Sequence, residues 1–196
     1  NEIINKNVLT GQASNSRAKV VNGLLSNELK ANLGLEGTGQ EVSFMKSTLS
    51  YPGILVSSQE GPSINLSPKD DNLRNVLALI KDFIVRTSFD GKKPENHIGL
   101  KKGLVPVYFA AVLRYYKKYC VISKNGKELE ITAKLLETIN DNPNSYDLYL
   151  ENWDEKKDKY ILDLEDLYGN YIIASEKEYN NFTFIVSAMQ RWYMQL

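Results

Sequence analysis

Few residues in this chain can carry covalent chemistry. His97 is the only histidine and Cys120 the only cysteine, so a nucleophile with a base beside it has one candidate of each kind. Cys120 lies in the apolar run Tyr119-Cys120-Val121-Ile122 and reads as a small core residue. His97 sits in a polar stretch and reads as a connector side chain. Zinc sites built from His and Cys fail on count, because they need four ligands. Carboxylates are plentiful, and Asp147, Glu155 and Lys157 follow Pro143 in the loose order of a nuclease centre. Two acidic groups would hold magnesium there and an ammonium would assist the attacking water. A solvated turn at residues 154–159 explains the same order, since the segment is rich in Asp, Glu and Lys. Asp163, Glu165 and Asp166 pose the same choice between a cation site and an exposed acidic face. No catalytic residue and no cofactor is assigned.

Phosphate loops need glycines that let successive amides face the anion, and a lysine at fixed spacing. Gly34, Gly37 and Gly39 lack that lysine and follow no strand, so they read as helix ends. The turn Gly99-Leu100-Lys101-Lys102-Gly103 lacks the Gly-Lys-Ser/Thr continuation, although amides at the mouth of a helix can hold an anion. The strongest binding candidate is the basic, tyrosine-rich stretch that follows. Arg114, Tyr115, Lys117 and Lys118, with Lys101, Lys102, Lys124 and Lys127, form a surface on which cations neutralise phosphates and tyrosines stack on bases. Alternatively the tyrosines belong to the core and the lysines merely solvate a helix.

The charge pattern sharpens that choice. Residues 81–130 carry eleven Lys or Arg against five Asp or Glu, and residues 137–180 carry four against twelve, within a chain of zero net charge. One reading gives the basic segment a nucleic-acid backbone and the acidic one a basic protein partner; the other has them neutralise each other across the fold.

These groups must be positioned by an α+β fold in which helices predominate. Ala18, Val21, Leu24, Leu25 and Leu29 predict a helix over residues 14–33, capped by Asn15 or Ser16 and stopped at Gly34. Val42, Met45 and Leu49 mark a second helix ending at Pro52-Gly53, and the serine-rich residues 57–68 read as a loop. Ser67 and Pro68 announce a third helix, with Leu73, Val76, Leu77, Ile80, Phe83 and Ile84 as its buried face and Asp90-Gly91 as its stop. Another helix is expected over residues 103–118. Residues 119–122 and 129–131 then form a hairpin about Asn125-Gly126, and Thr132 caps a helix through Ile139 that ends at Asn142-Pro143. Tyr146, Leu148 and Leu150 alternate as in a strand, and residues 160–164 read as a short strand or the start of a helix. Phe182, Phe184, Ile185, Met189, Trp192 and Tyr193 predict a C-terminal helix. Helix, hairpin and helix in that order suit a winged-helix-like module in the C-terminal half. The expected divisions are an N-terminal helical lobe (1–91), a basic connector (92–102) and an α+β lobe (103–196), in one compact domain or two.

A family resemblance runs through several of these segments. Gly99-Leu100-Lys101-Lys102-Gly103-Leu104-Val105-Pro106 leading into Ala110-Ala111, then Glu130-Ile131-Thr132-Ala133-Lys134-Leu135-Leu136 and Asn142-Pro143, resemble a region of very large bacterial ATP-binding proteins found with phage-defence and restriction genes. Ser16-Arg17-Ala18, the run from Leu33 through Gly34, Gly37 and Gly39 to Glu41, and Tyr51-Pro52-Gly53-Ile54 fit the same pattern. The resemblance implies an accessory region whose nucleotide loop lies elsewhere in a longer chain, and it transfers no catalytic residue. The first residue, Asn1, agrees with a piece of something longer. A lone cysteine and the absence of any apolar run near 20 residues point to a reducing cytoplasmic setting without a membrane span. The expected function is a non-catalytic interaction module that contacts other domains of its parent chain, with DNA or RNA held on the basic surface; a structural oligomerisation or protein-docking domain is the alternative, and a metal-dependent nuclease the third.

Overall fold

The computed structural model describes residues 11–90, 100, 102–151, 154–179 and 183–196. Its first helix, α1 (Gly11–Leu25), buries Val20, Val21, Leu24 and Leu25, the stripe that helical spacing dictates. α1 begins ahead of Asn15 and Ser16 and stops at Leu25, eight residues short of the expected Leu33. The break comes where Ser26 Oγ lies 2.8 Å from the carbonyl oxygens of both Gly23 and Glu28. The chain then turns through Asn32, Leu33 and Gly34, with φ of 50°, 58° and 73°, and lays Leu33 on Gly23. A Cβ on Gly23 would stand 2.6 Å from Leu33 Cβ and 2.7 Å from its carbonyl oxygen. Gly23→Ala is therefore expected to cost about 1–3 kcal/mol, although alanine is the better helix former. Denaturant unfolding checks this, and a stabilised variant would show that Leu33 does not pack there.

Next, α2 (Gln40–Met45) and the π-helical turn Lys46–Ser50 bury the expected Val42, Met45 and Leu49. The serine-rich stretch is not a loop. It forms a hairpin, β1 (Leu55–Ser58) and β2 (Gly61–Ile64), antiparallel with Leu55 opposite Ile64. Those two end residues are its buried ones, so the alternation that normally reveals a strand is missing. α3 (Asp71–Asp90) starts later than Ser67 and Pro68 suggest, because Asp70 caps it: its Oδ1 accepts from Leu73 N–H at 2.9 Å. The face of Leu73, Val76, Leu77 and Ile84 is buried as expected.

The connector expected at 92–102 lies outside the described residues apart from Leu100 and Lys102. A 3-10 turn, Lys102–Leu104, leads into α4 (Val105–Leu113), which is shorter than the helix expected over 103–118. β3 (Cys120–Lys124) and β4 (Lys127–Leu129) close over Asn125 and Gly126, both left-handed at φ 54° and 74°, as a two-residue hairpin turn requires. Thr132 caps α5 (Ala133–Asp141) by accepting from Leu135 N–H at 3.2 Å. β5 (Asp147–Leu150) then pairs antiparallel with the free side of β3, giving the order β4-β3-β5.

Apolar on nearly every side, α4 has to be central, and it packs against α1, α3 and α5. One core joins Val20 and Leu24 to Leu104, Leu113, Ile122 and Leu136, so residues of both expected lobes share it. Arg17 fastens α1 across this core: Nη2 reaches Glu137 Oε1 at 2.8 Å and Nη1 donates to Gly103 O at 3.3 Å.

The expected charged turn at 154–159 is helical, and of the two readings of residues 160–164 the helix holds: both lie in α6 (Glu155–Leu167), capped by Asp154 Oδ1 on Lys157 N–H at 2.9 Å. A 3-10 turn, Ala174–Tyr179, precedes α7 (Thr183–Tyr193), the expected C-terminal helix. α7 buries Phe184, Ile185 and Ala188, which stand apart from the main core. Helices thus dominate two small antiparallel sheets in an α+β fold. Among the described residues no helix is long and apolar enough to cross a membrane.

Candidate functional site

Beyond α4, residues 114–119 pass in turns beneath the C-terminal end of α1. Arg114 Nη1 donates to Leu24 O and Ser26 O, both at 2.7 Å, and Nη2 to Asn27 O at 3.0 Å. Lys117 is buried and its ammonium donates to Leu25 O. The last carbonyls of a helix have no partner within it and carry the negative end of its dipole, and these two cations supply the missing donors. Sequence reasoning places Arg114 and Lys117 on an outward phosphate-binding face; in the structure both are turned onto α1. Tyr115 donates its hydroxyl to Ile64 O on β2 while its ring stays largely exposed, and Tyr116 packs against the core.

The remaining basic candidates have different neighbours. Lys102 pairs with Asp141 at 2.8 Å, and this ammonium holds the Asp141 carboxyl below its ordinary range. Here the basic and acidic segments meet. Lys124 stands 5.1 Å from the centre of the Tyr146 ring, and Lys127 faces Lys124 across the hairpin end. Lys101 and His97 lie outside the described residues. The expected surface from Lys101 to Lys127 is therefore divided among three sets of contacts.

What the fold does bring together is a cleft of about 350 Å³, lined by Arg114, Lys117, Lys118, Glu165, Lys177 and Phe184. It opens between the end of α1, the 114–118 turns, α6 and α7. Lys177 pairs with Glu165, and its ammonium lies 5.3 Å from the centre of the Phe184 ring. The adjacent Glu176 pairs with Arg191 of α7, which also donates to Tyr171 O; these contacts set where Lys177 stands. A groove of about 640 Å³ shares Ser26, Asn27 and Lys177 with the cleft and extends it toward Gly34. Burial in the cleft wall pulls the Arg114 guanidinium below its ordinary pKa. Sequence reasoning missed Lys177 and Phe184 as partners of this cluster because nothing in local spacing links them to residues about sixty or more positions earlier.

Other candidates are less developed. Asp147 lies on β5 and Glu155 in the first turn of α6, and no group of three His, Cys, Asp or Glu among the described residues is placed to hold a metal ion. An apolar cavity of about 330 Å³ lies between α3, α4 and α5, bounded by Phe83, Pro106, Phe109 and Ile139. The polar side chain on its wall is Asn140, whose Nδ2 donates to Lys102 O.

Cys120 is buried in β3, and desolvation pushes its thiol from 9.0 up to about 12. The thiolate is the reactive form, so a disulfide reagent at pH 8 is expected to leave Cys120 unmodified until the chain unfolds. The raised value also sets a pH dependence: the unfolded chain gives up this proton near pH 9 and the folded one near 12. Stability held below pH 9 is therefore lost as pH rises through that window. Cys120→Val should flatten this alkaline slope in denaturant titrations; rapid labelling of the native protein at pH 8 would show that the thiol is not desolvated.

Fold and cleft together define a predominantly helical α+β domain with a cation-lined cleft at the end of its first helix. No protein-family model, curated protein or solved structure matches the chain.

Proposed function

We propose that this chain is a non-catalytic interaction module of a larger protein, docking through the outer face of α7 on a neighbouring domain of the same polypeptide. One observation carries the reading: α7 has two apolar stripes, and only one is covered. Phe184, Ile185 and Ala188 face inward, whereas Val186, Met189 and Tyr193 recur at the same helical spacing on the solvent side, 52%, 37% and 73% exposed. Ten of the fourteen large hydrophobic side chains exposed among the described residues fall within 155–196, and α6 has no buried residue at all. Helices that are apolar on both sides belong inside a structure, and apolar patches concentrated in this way mark interaction surfaces. Tyr160, Leu162 and Leu167 of α6 are exposed as well, so the matching surface is apolar. The resemblance to very large bacterial ATP-binding proteins supplies the kind of parent, with ATP handled elsewhere in it. Comparing hydrogen exchange of α7 in this chain and in its full-length parent tests the reading.

Contact with DNA or RNA is a second reading, favoured by the meeting of Arg114, Lys117, Lys118 and Lys177 in one cleft. Oligonucleotide binding that weakens steeply with added salt would support it; binding that ignores salt, or none, would remove it.

A further inference from the structure

We infer that the cleft at the end of α1 is a binding site for a phosphate group, held by Arg114 and Lys118. This deepens the nucleic-acid reading by naming the contact, and it holds equally for a small phosphorylated ligand.

The charges on the cleft wall do not balance. Arg114 is half buried, yet every acceptor it meets is a backbone carbonyl oxygen. No carboxylate lies within ion-pair distance of it among the described residues. Desolvated cations are normally matched by an anion, because carbonyl dipoles only partly offset the lost hydration. Lys118 stands beside it, exposed and with no ion-pair or hydrogen-bond partner among the described residues. Across the cleft Lys177 is already matched by Glu165. Two uncompensated cations therefore face one concave space, and a dianion answers both, whereas a carboxylate answers one.

Donor geometry agrees. A guanidinium has five N–H donors, and the carbonyls of Leu24, Ser26 and Asn27 engage three of those on Arg114. The two left over, with the Lys118 ammonium, suit the several oxygens of a phosphate, the anion for which a fixed guanidinium fork is best matched. Because the carbonyls at and just beyond the end of α1 hold Arg114 in place, little side-chain order has to be gained on binding. The volume of about 350 Å³ lies in the range of small-ligand sites.

Titration with inorganic phosphate, followed by NMR of the Arg114 Nε–H and the Lys118 amide at constant ionic strength, tests the assignment. A saturable shift of both signals, weakened about tenfold by Lys118→Glu, is expected, the loss of roughly one charge-assisted contact. Lys118 is exposed, so this variant should keep the fold; Lys177→Gln serves as a second variant on the opposite wall. Absence of a saturable shift, or affinity unchanged in Lys118→Glu, overturns the site. Nucleoside monophosphate and a short single strand form the other two arms. Phosphate and monophosphate binding without the strand keeps the cleft and ends the nucleic-acid reading. Strand binding that leaves the Arg114 signal unmoved does the reverse.

Discussion

Arg114→Ala is expected to lower the unfolding free energy by about 3 kcal/mol and the melting temperature by roughly 6–12 °C. The loss has two parts. Three hydrogen bonds disappear, and the carbonyls of Leu24, Ser26 and Asn27 are left facing a wall from which their donor has gone. A donor or acceptor stranded in a poorly solvated place costs about 1–3 kcal/mol. Arg114→Lys keeps the charge but cannot reach the carbonyls of Leu24, Ser26 and Asn27 with a fixed fork, so it should recover about half of the loss. Chemical denaturation with an unchanged m-value measures both variants. A deficit below about 1 kcal/mol for alanine would mean that water replaces the guanidinium at the end of α1, and that Arg114 is freer to serve a ligand than its bonds imply.

The second large effect concerns α7. Covering the exposed part of Val186, Met189 and Tyr193 is worth roughly 2–5 kcal/mol before ordering costs, so a modest surplus should slow exchange of the α7 amides about tenfold in the parent chain relative to this chain alone. Changing all three residues to lysine should abolish that protection. Because their side chains already face solvent here, the same change should alter the stability of the isolated chain by no more than about 0.5 kcal/mol. Equal exchange rates in the two settings would overturn docking through this face. Protection that survives the triple lysine change would place the contact on another surface.

Helix caps and turns show what sequence spacing can and cannot reveal. Thr132 and the Asn125-Gly126 turn were legible because cap and turn residues act on neighbours three positions away or fewer. Asp154 is a cap of the same kind, but the mixed charges after it hid the period of α6. The C-terminal end of α1 was illegible for another reason: its donors come from residues about ninety positions later, and Leu29 prolonged the apolar pattern past the true stop. The hairpin β1–β2 escaped because Val56, Ser57, Ser58, Gly61, Pro62 and Ser63 between its buried ends show no apolar alternation. For the cleft, half of the wall could be found. Arg114, Lys117 and Lys118 stand out as a basic cluster, but whether a cation faces α1 or solvent depends on packing, and Glu165, Lys177 and Phe184 reach the site only through tertiary structure.

The long reach of Arg114 and Lys117 also orders events during synthesis. Their bonds to the end of α1 span 87 to 92 residues, and a ribosome adds roughly 5–20 residues per second. Nascent α1 therefore emerges roughly 4–18 s before the cations that finish it; α2, which also packs on α1, can cover part of its apolar side early, and α4 completes the cover. During that interval the growing chain presents a helix whose last carbonyls are open and whose apolar side is only partly covered, so chaperone demand should fall once residue 117 has emerged.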